Sequence, residues 1–398
     1  MKDHLDESGA SFGKEPRLQP IFISQPDPSE EVCCGPPAGP PSGPFEKPGY
    51  KLLGFVDSFL QTQAGPVPKV KTRPGLSDVI GTVAVRLGIG RNDYKIAPGL
   101  YCIGDPDDSS PVMVTANYKL SFDTLRKDLE EVSAWVLVLD TRGINVWCAA
   151  GKGTFSTDEV IRLIKLTHLD KIVKHRNLIL PQLSATGVSA TRVKKASGFS
   201  VIWGPVRTND IKLFLKNGLK AEKSWRTVTF SFVERFVLVP VELSLVIKSA
   251  LWILLAVLII SGIGPGIFSI SSSISRGFIA AMALLSGILA GAVAVPLFLP
   301  WIPFRAFSVK GAIMGIIAGL VVVFALMEEI QLVSTIGILL LTAAVSSYLA
   351  MNFTGATPFT SPSGVEKEMR KAIPLQAAAI LIGISAWVID SFINKGIT

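Results

Sequence analysis

Hydrophobic and polar positions divide the chain into three parts with different patterns. Up to about residue 75 the sequence is rich in proline and glycine, with runs such as GPPAGPPSGP. From residue 76 to residue 242, short apolar runs alternate with charged residues, and beyond residue 243 long apolar stretches carry few charges. This pattern predicts a flexible leader at 1–75, a soluble domain at 76–242 and a membrane domain at 243–398.

Five apolar stretches in the last part are each close to the ~20 residues that a helix needs to cross a bilayer. Because they follow one another with almost no polar face, they are a poor match to buried helices of a globular domain. The prediction is an all-α membrane domain with five spans, at about residues 243–263, 277–299, 309–327, 332–351 and 373–393.

The basic residues of the loops predict how these spans are oriented. Arg305, Lys310, Lys367, Arg370 and Lys371 all fall in loops on the side of the N-terminus. Basic residues favour the cytoplasmic side, and the acidic start MKDHLDES does not resemble a secretory signal. We therefore expect a multi-pass protein of the inner (cytoplasmic) membrane, with a cytoplasmic soluble domain and an external C-terminus.

The soluble part alternates strand-like and helix-like segments. Its apolar runs are VMVTAN, AWVLVLD, NLILPQ and FSVIW. Ser121 is expected to open a helix after the first run, and Ser156 with Glu159 forms a capping box for another. Such alternation predicts a Rossmann-like α/β domain with a largely parallel sheet, in which ligands gather at the carboxyl ends of the strands.

Composition narrows the class of protein. With 49% hydrophobic and 18% charged residues, the chain is too apolar for an ordinary soluble enzyme. Its four cysteines are Cys33, Cys34, Cys102 and Cys148, and they lack the spacing of an iron–sulfur cluster motif. No nucleic-acid partner is expected.

The segment NVWCAAGK, residues 145–152, is the strongest candidate for chemistry. A phosphate-binding loop is disfavoured, because Val146 replaces its first glycine and Gly153 its final Ser/Thr. Cys148 is either an inert core cysteine or a functional thiolate. Cysteine–histidine hydrolysis is unattractive, because His4 lies in the leader and the other two histidines lie on a solvated basic stretch. From the residue types alone, Cys148 is equally consistent with a metal ligand and with a buried core cysteine.

Three further loops should reach the same sheet edge as Cys148. They are TANYKLS (115–121), PQLSATGVSA (181–190) and GPVRT (204–208), which are rich in small and hydroxylic residues. Ordinary turns between strands and helices would also have this composition. Four such loops at one edge nevertheless favour a cradle for a wide cofactor with many amide groups.

NVWCAAGK, LPQLSATGVSA, SGFSVIWGPVR and the five-span tail together resemble the corrinoid-protein family of microbial mercury methylation (HgcA), over about residues 75–398. The soluble part is also similar to the corrinoid-binding domain of the corrinoid iron–sulfur protein, without its cluster-binding module. The resemblance implies a cobalamin-type corrinoid in its methylcobalamin form, with Cys148 as axial ligand to cobalt. It further implies a cap helix shaped by Asn145, Trp147 and Ala149. The corrinoid would be lined by Thr115, Ser121, Gly187, Val188, Gly204, Val206 and Thr208.

By the same resemblance, the chain is a membrane-anchored corrinoid-dependent methyltransferase that transfers a methyl group from cobalt to Hg(II), giving methylmercury. A soft thiolate opposite the methyl group would favour its release with the bonding electrons. Electrons would come from a small ferredoxin with two [4Fe-4S] clusters (HgcB), and the methyl group from methyl-folate or an unidentified donor protein.

Two other functions compete with mercury methylation. One is a corrinoid methyl carrier of one-carbon or metalloid metabolism with a different acceptor, which the sequence does not separate from the first. The other is a transporter with a regulatory soluble domain. It is disfavoured because the spans hold few charges and no cysteine, whereas substrate pathways through membranes usually contain polar groups.

Overall fold

The computed structural model describes residues 54–327, 330–356, 359 and 362–393. Its first part is built on one seven-stranded sheet in the order β1-β2-β3-β5-β4-β6-β7. The strands are β1 (Val56–Thr62), β2 (Gly65–Val70), β3 (Gly99–Ile103), β4 (Val112–Ala116), β5 (Ala134–Leu139), β6 (Asn177–Leu180) and β7 (Ser200–Trp203).

Four strands form the parallel half of the sheet that the sequence predicts. β5, β4, β6 and β7 run in the same direction, whereas β3 pairs with β5 antiparallel. Every residue of β4 and β5 is buried, because these strands are covered on both faces. The predicted α/β fold with a mostly parallel sheet is therefore confirmed.

Helices cover both faces of the sheet. One face packs against side chains of α2 and α7, with Phe122 and Phe214 fully buried. The other packs against α3, α4 and α6, with Phe155 and Val193 fully buried. The helices of this part are α1 (Leu76–Arg86), α2 (Lys119–Asp128), α3 (Val146–Gly151), α4 (Thr157–Leu166), α5 (Leu169–Ile172), α6 (Ala190–Ser197) and α7 (Ile211–Lys216).

The predicted leader extends too far along the chain. Residues 1–53, with Cys33 and Cys34, lie outside the described residues, but β1 and β2 fall before residue 75 and join the sheet as an antiparallel pair. Pro66 and Pro68 lie in β2 and give the segment the composition of the leader. Prolines are tolerated there because β2 is short and lies near the end of the sheet.

One predicted helix start and one predicted capping box differ from the structure. α2 begins at Lys119 instead of Ser121, because Tyr118 and Lys95 form a β-bridge that fixes the preceding backbone. At α4, the Ser156 hydroxyl accepts from the Glu159 N–H as expected. The Glu159 carboxylate, however, accepts from the Asp140 N–H at 2.9 Å, so it anchors the end of β5 instead of completing the capping box.

A buried ion-pair network joins α1 to α2. The Arg126 guanidinium, fully inaccessible, donates to Asp78 at 2.7 Å and to Asp123 at 2.8 Å. Lys119 donates to the same two carboxylates. Burial alone would raise the pKa of Asp78, but hydrogen bonds from Lys119, the Gly75 N–H and Arg126 lower it to about 2.

The second part contains five helices long and apolar enough to span a membrane. The five predicted apolar spans correspond to these five helices, with shifted ends. The fifth helix begins at Pro362, 11 residues before the predicted start, because its charged first turns continue the same helix beyond the apolar stretch. After the short α8 (Phe232–Phe236), the helices are α9 (Val239–Ser261), α10 (Ile270–Leu289) continued by α11 (Val295–Phe298), α12 (Phe307–Ala325), α13 (Leu332–Asn352) and α14 (Pro362–Ile393).

The helices alternate in direction, so the bundle has one end near the α/β domain and one far from it. Trp387, late in α14, donates to the Ser261 hydroxyl at the far end of α9. Glycines at 311, 315 and 319 let α12 approach α13, since a Cβ at Gly315 would lie 2.4 Å from the Thr342 carbonyl oxygen. Small residues four apart on one helix allow this close approach of two membrane-type helices.

Candidate functional site

The carboxyl ends of β4, β5, β6 and β7 meet at one edge of the sheet, the carboxyl edge. The loops after β4 and β7 lead to helices on one face, and the loops after β5 and β6 lead to helices on the other. Loops that diverge to opposite faces open a crevice at the strand ends, where ligands of such sheets bind. The prediction that the four candidate loops share one edge is confirmed.

Helix α3 carries the candidate cysteine at this edge. Its N-cap is Asn145, whose side-chain oxygen accepts from the Cys148 N–H at 3.0 Å. Ala149 and Ala150 are buried in the core, Cys148 is half-buried, and Trp147 is 37% exposed. Small alanines allow the helix to lie directly on the strand ends, and Cys148 lies on a flank that the core does not cover.

The loop before α3 is held by a residue that the sequence analysis did not single out. Asn117, fully buried directly after β4, accepts from the Thr141 N–H, the Thr141 hydroxyl and the Gly143 N–H at 2.9–3.1 Å. These bonds join the end of β4 to the turn that leads into α3, where Arg142 and Gly143 have positive φ. The only hint in the sequence was a polar residue at the end of an apolar strand. The groups that bond to Asn117 lie 24 and 26 residues further along the chain.

The loop after β6 contacts α3 directly. A Cβ at Gly187 would lie 2.3 Å from the Phe155 carbonyl oxygen and 3.0 Å from the Ala150 Cα. Val188 is buried in the same core cluster as Ala149 and Ala150. Glycine at 187 is therefore required by this close backbone approach, and the structure brings Gly187 and Val188 together with the cap helix.

Three of the remaining predicted residues lie at the carboxyl edge or close to it. Thr115, buried in β4, and Gly204, which follows β7 and whose N–H donates to the Leu180 carbonyl at 2.8 Å, lie at or next to the carboxyl edge. Ser121, half-buried, lies in the first turn of α2.

Val206 and Thr208 lie further along the same loop. The Val206 N–H donates to the Trp225 carbonyl, and the Thr208 hydroxyl donates to Asp128, the last residue of α2. α2 starts at the carboxyl edge and is roughly 15 Å long. The structure therefore does not bring Thr208 to Cys148.

The other cysteine and the histidines of the described chain lie elsewhere. Cys102 is fully buried in β3, and burial raises the pKa of its thiol to about 12. His175 contacts the Ser110 carbonyl, before the start of β4, and His168 follows the end of α4, so both are at the opposite edge. Among the residues that the structure describes, no cluster of three metal-binding side chains occurs.

This donor set fits a corrinoid better than a metal ion held by protein side chains alone. A corrinoid brings its own nitrogen donors to cobalt, so few protein donors are required, and the half-buried Cys148 thiol is a donor that suits such a soft metal centre. Such a wide group also needs backbone that approaches closely, and the glycine-containing loops of the carboxyl edge provide it.

Comparison with known proteins supports the same assignment. Residues 90–215 match the family model described as the CO dehydrogenase/acetyl-CoA synthase delta subunit. The acetyl-CoA decarbonylase/synthase complex subunit gamma is 37% identical over 132 residues in Methanopyrus kandleri (32% of this chain, 28% of that protein). The same subunit in Archaeoglobus fulgidus is 33% identical over 152 residues (37% and 31%). The corrinoid/iron-sulfur protein large subunit of Moorella thermoacetica is 29% identical over 119 residues (29% and 26%).

The chain thus joins a domain similar to those of corrinoid proteins to five helices long and apolar enough to span a membrane, a combination that supports a corrinoid methyl carrier. Each match spans less than a third of the relative's own length. The matches and the five apolar helices together fit an HgcA-like arrangement, a corrinoid domain followed by a transmembrane region.

Proposed function

We propose that this chain is a membrane-anchored corrinoid-dependent methyltransferase that transfers a methyl group to Hg(II) and releases methylmercury. The observation that carries the proposal is the half-buried Cys148 on a capped helix, at the carboxyl edge of a domain whose sequence is similar to that of a corrinoid protein. The octapeptide NVWCAAGK, which resembles the mercury-methylation family, is the segment that forms this helix.

Different residues of the carboxyl edge would make different contacts with the cofactor. Cys148 would supply a thiolate ligand to the corrinoid, and Thr115, Gly187 and Gly204 would bring backbone and small side chains close to it. When bound, the corrinoid would supply a methyl group on cobalt, in its methylcobalamin form.

The other residues of α3 position the thiol. Asn145 fixes the first turn by accepting the Cys148 N–H, and Ala149 anchors the helix in the core. Trp147 is exposed beside Cys148 and would shield the ligand from water. A soft, electron-donating thiolate favours transfer of the methyl group with its bonding electrons, which the electron-poor Hg(II) requires.

The proposed partners follow from the chemistry. After each transfer an electron donor must restore the cofactor, and the described chain has no cysteine cluster for a redox centre of its own. We propose a small ferredoxin with two [4Fe-4S] clusters (HgcB) as this donor, and methyl-folate or another methylated protein as the methyl source.

A second candidate is a corrinoid methyl carrier of one-carbon metabolism. It is favoured by the similarity to subunits of the acetyl-CoA decarbonylase/synthase complex. The two functions differ in the methyl acceptor and not in the site.

The experiment that separates them is methylmercury production by a deletion strain with and without this chain. Restored production at limiting Hg(II) supports the methyltransferase. Normal one-carbon growth phenotypes restored without any methylmercury would support the alternative carrier and overturn the first proposal.

We further propose that the α/β domain is cytoplasmic and the C-terminus external, since the basic loops lie at the near end of the bundle. A reporter fused after Thr398 should be active only outside the cytoplasm. Activity confined to the cytoplasm would contradict this orientation.

A further inference from the structure

Helix α1 exposes a continuous apolar stripe. Leu76, Val79, Ile80, Val83 and Leu87 are 78%, 51%, 59%, 52% and 47% exposed. Their spacing of i, i+3, i+4, i+7 and i+11 places them on one face of the helix. Isolated exposed apolar residues are ordinary, but a contiguous stripe of this kind marks a surface for a partner.

The opposite face of α1 attaches the helix to the domain. Asp78 and Val85, about half a helical turn away from the centre of the stripe, are buried, and Asp78 pairs with Arg126 and Lys119. The stripe therefore points directly away from the α/β domain on a firmly held helix.

The position of α1 indicates what covers the stripe. Its C-terminal end packs against the first turns of α9, where a Cβ at Gly88 would lie 2.2 Å from the Ser244 hydroxyl oxygen. The lipid-facing surface of α9 begins at this level, since Leu245 is 70% exposed and Ile247 56% exposed. The stripe thus ends beside the first turns of α9, where the exposed apolar surface of that helix begins.

A second apolar patch adjoins the same turns of α9. Phe232, Val233 and Phe236 of α8 are 44%, 68% and 56% exposed, directly before the span begins. The patch and the stripe both lie next to the start of α9, where a bilayer around that helix would begin. The basic residues Arg86 and Arg91 at the end of α1 suit an anionic partner surface.

We propose that α1 is an interfacial helix, lying in the headgroup layer of the leaflet that α9 enters, with its stripe in contact with the acyl chains. The bilayer would then hold the α/β domain at a second point besides the covalent link to α9, and so fix its orientation to the membrane. This inference rests on α9 as a membrane span and not on the methyl acceptor.

The test places the photo-crosslinking residue p-benzoylphenylalanine at Val83 of the full chain, in nanodiscs of phosphatidylglycerol and phosphatidylethanolamine. Adducts are identified by peptide mass spectrometry. A second variant carries the probe at Ile80, in case the first does not fold. Leu245 is the control inside the span. Leu166 is the matched control, because it is 62% exposed on α4, on the opposite face of the sheet.

Lipid adducts at positions 83 and 80 should approach those at 245 and exceed those at 166 by about tenfold, as expected for burial among acyl chains. Adducts to residues 1–53 or to a second copy of the chain, in place of lipid, would overturn the proposal. So would the absence of lipid adducts at 83 and 80 while 245 gives them. Absence at 245 as well would refute the span itself.

Discussion

Two cysteines of the α/β domain lie in opposite environments, Cys102 inside the sheet and Cys148 at its carboxyl edge. Cys102 is surrounded by β-strand side chains, and burial keeps its thiol protonated with a pKa near 12. Cys148 lies on a six-residue helix whose core contacts are made by neighbouring alanines. A thiolate ligand must be accessible and deprotonated, so only the second environment suits a ligand.

Two regions of the α/β domain are also held together differently. The side of the domain around α1 and α2 is fixed by a buried network of two basic and two acidic residues. At the carboxyl edge, the turn before α3 donates a backbone N–H to Asn117, and α3 donates one to Asn145. The separate carboxylates of Asp140 and Glu159 accept further hydrogen bonds there. Clustered charges stabilise the scaffold, whereas the site relies on individual hydrogen bonds and close backbone packing.

The largest expected effect is on activity, from replacing Cys148. Cys148→Ala should reduce methylmercury production to that of the strain lacking the chain, because it removes the thiolate that we propose as the cobalt ligand. Its thermal stability should change by only about 1 kcal/mol, since the residue is not in the core. The matched variant Cys102→Ala should lose about 1–2 kcal/mol from a small cavity and retain activity.

Anaerobic spectra sharpen this prediction. Cys148→Ala and Cys148→His should both still bind corrinoid, because the contacts are spread over four loops, but lose the thiolate-to-cobalt charge-transfer absorption. Wild-type methylmercury yield from Cys148→Ala would exclude the ligand role and return Cys148 to the structural residues.

The next largest effect concerns the buried network. Arg126→Met leaves two buried carboxylates with Lys119 alone, so the α/β domain should lose about 3–5 kcal/mol of unfolding free energy. The control is Arg192→Met. Arg192 and its partner Asp158 are both about two-thirds exposed, so this substitution should lower the unfolding free energy by less than about 1 kcal/mol. Thermal unfolding of the full chain in nanodiscs measures both, and equal losses would contradict the special role of the buried network.

The parts of the fold that the sequence predicted are those with strong local patterns. Apolar runs such as residues 134–139 identify buried parallel strands, and five long apolar stretches identify the spans. β1 and β2 were not predicted, because prolines and charged residues give them the composition of the leader. The place of β2 in the sheet also depends on its pairing with the distant β3.

The site was predictable only as far as topology determines it. Parallel strands bring their following loops to one edge, so the grouping of the four loops follows from strand order. The role of Asn117 and the position of Thr208 depend instead on contacts 24 and 80 residues apart in the sequence, which no local pattern encodes. The network of Arg126 escaped for the same reason, since Asp78 lies 48 residues before it.

A smaller effect is expected from acid. The pKa of Asp78 is lowered to about 2 in the folded chain, against about 3.9 when unfolded. A lowered carboxyl pKa stabilises the fold above the unfolded value, and this stability is lost as the pH falls through the folded value. The domain should therefore lose about 2 kcal/mol between roughly pH 5 and pH 2 through this group. Asp78→Asn should flatten that part of the stability–pH curve, and an unchanged curve would refute the assignment.

The smallest effect, and the one that best separates positioning from stability, comes from the helix caps. Asn145→Ala removes the acceptor of the Cys148 N–H and should cost about 1 kcal/mol. Ser269→Ala removes the N-cap of α10, where the hydroxyl accepts from the Ser272 N–H, and should cost a similar amount at the far end of the bundle. If Asn145 positions the ligand, only its variant should shift the charge-transfer band of the bound corrinoid and lower methylmercury yield by a few-fold. Asn145→Asp, which caps as well as asparagine, should restore both. Equal activity from the two alanine variants would mean that Asn145 serves stability alone.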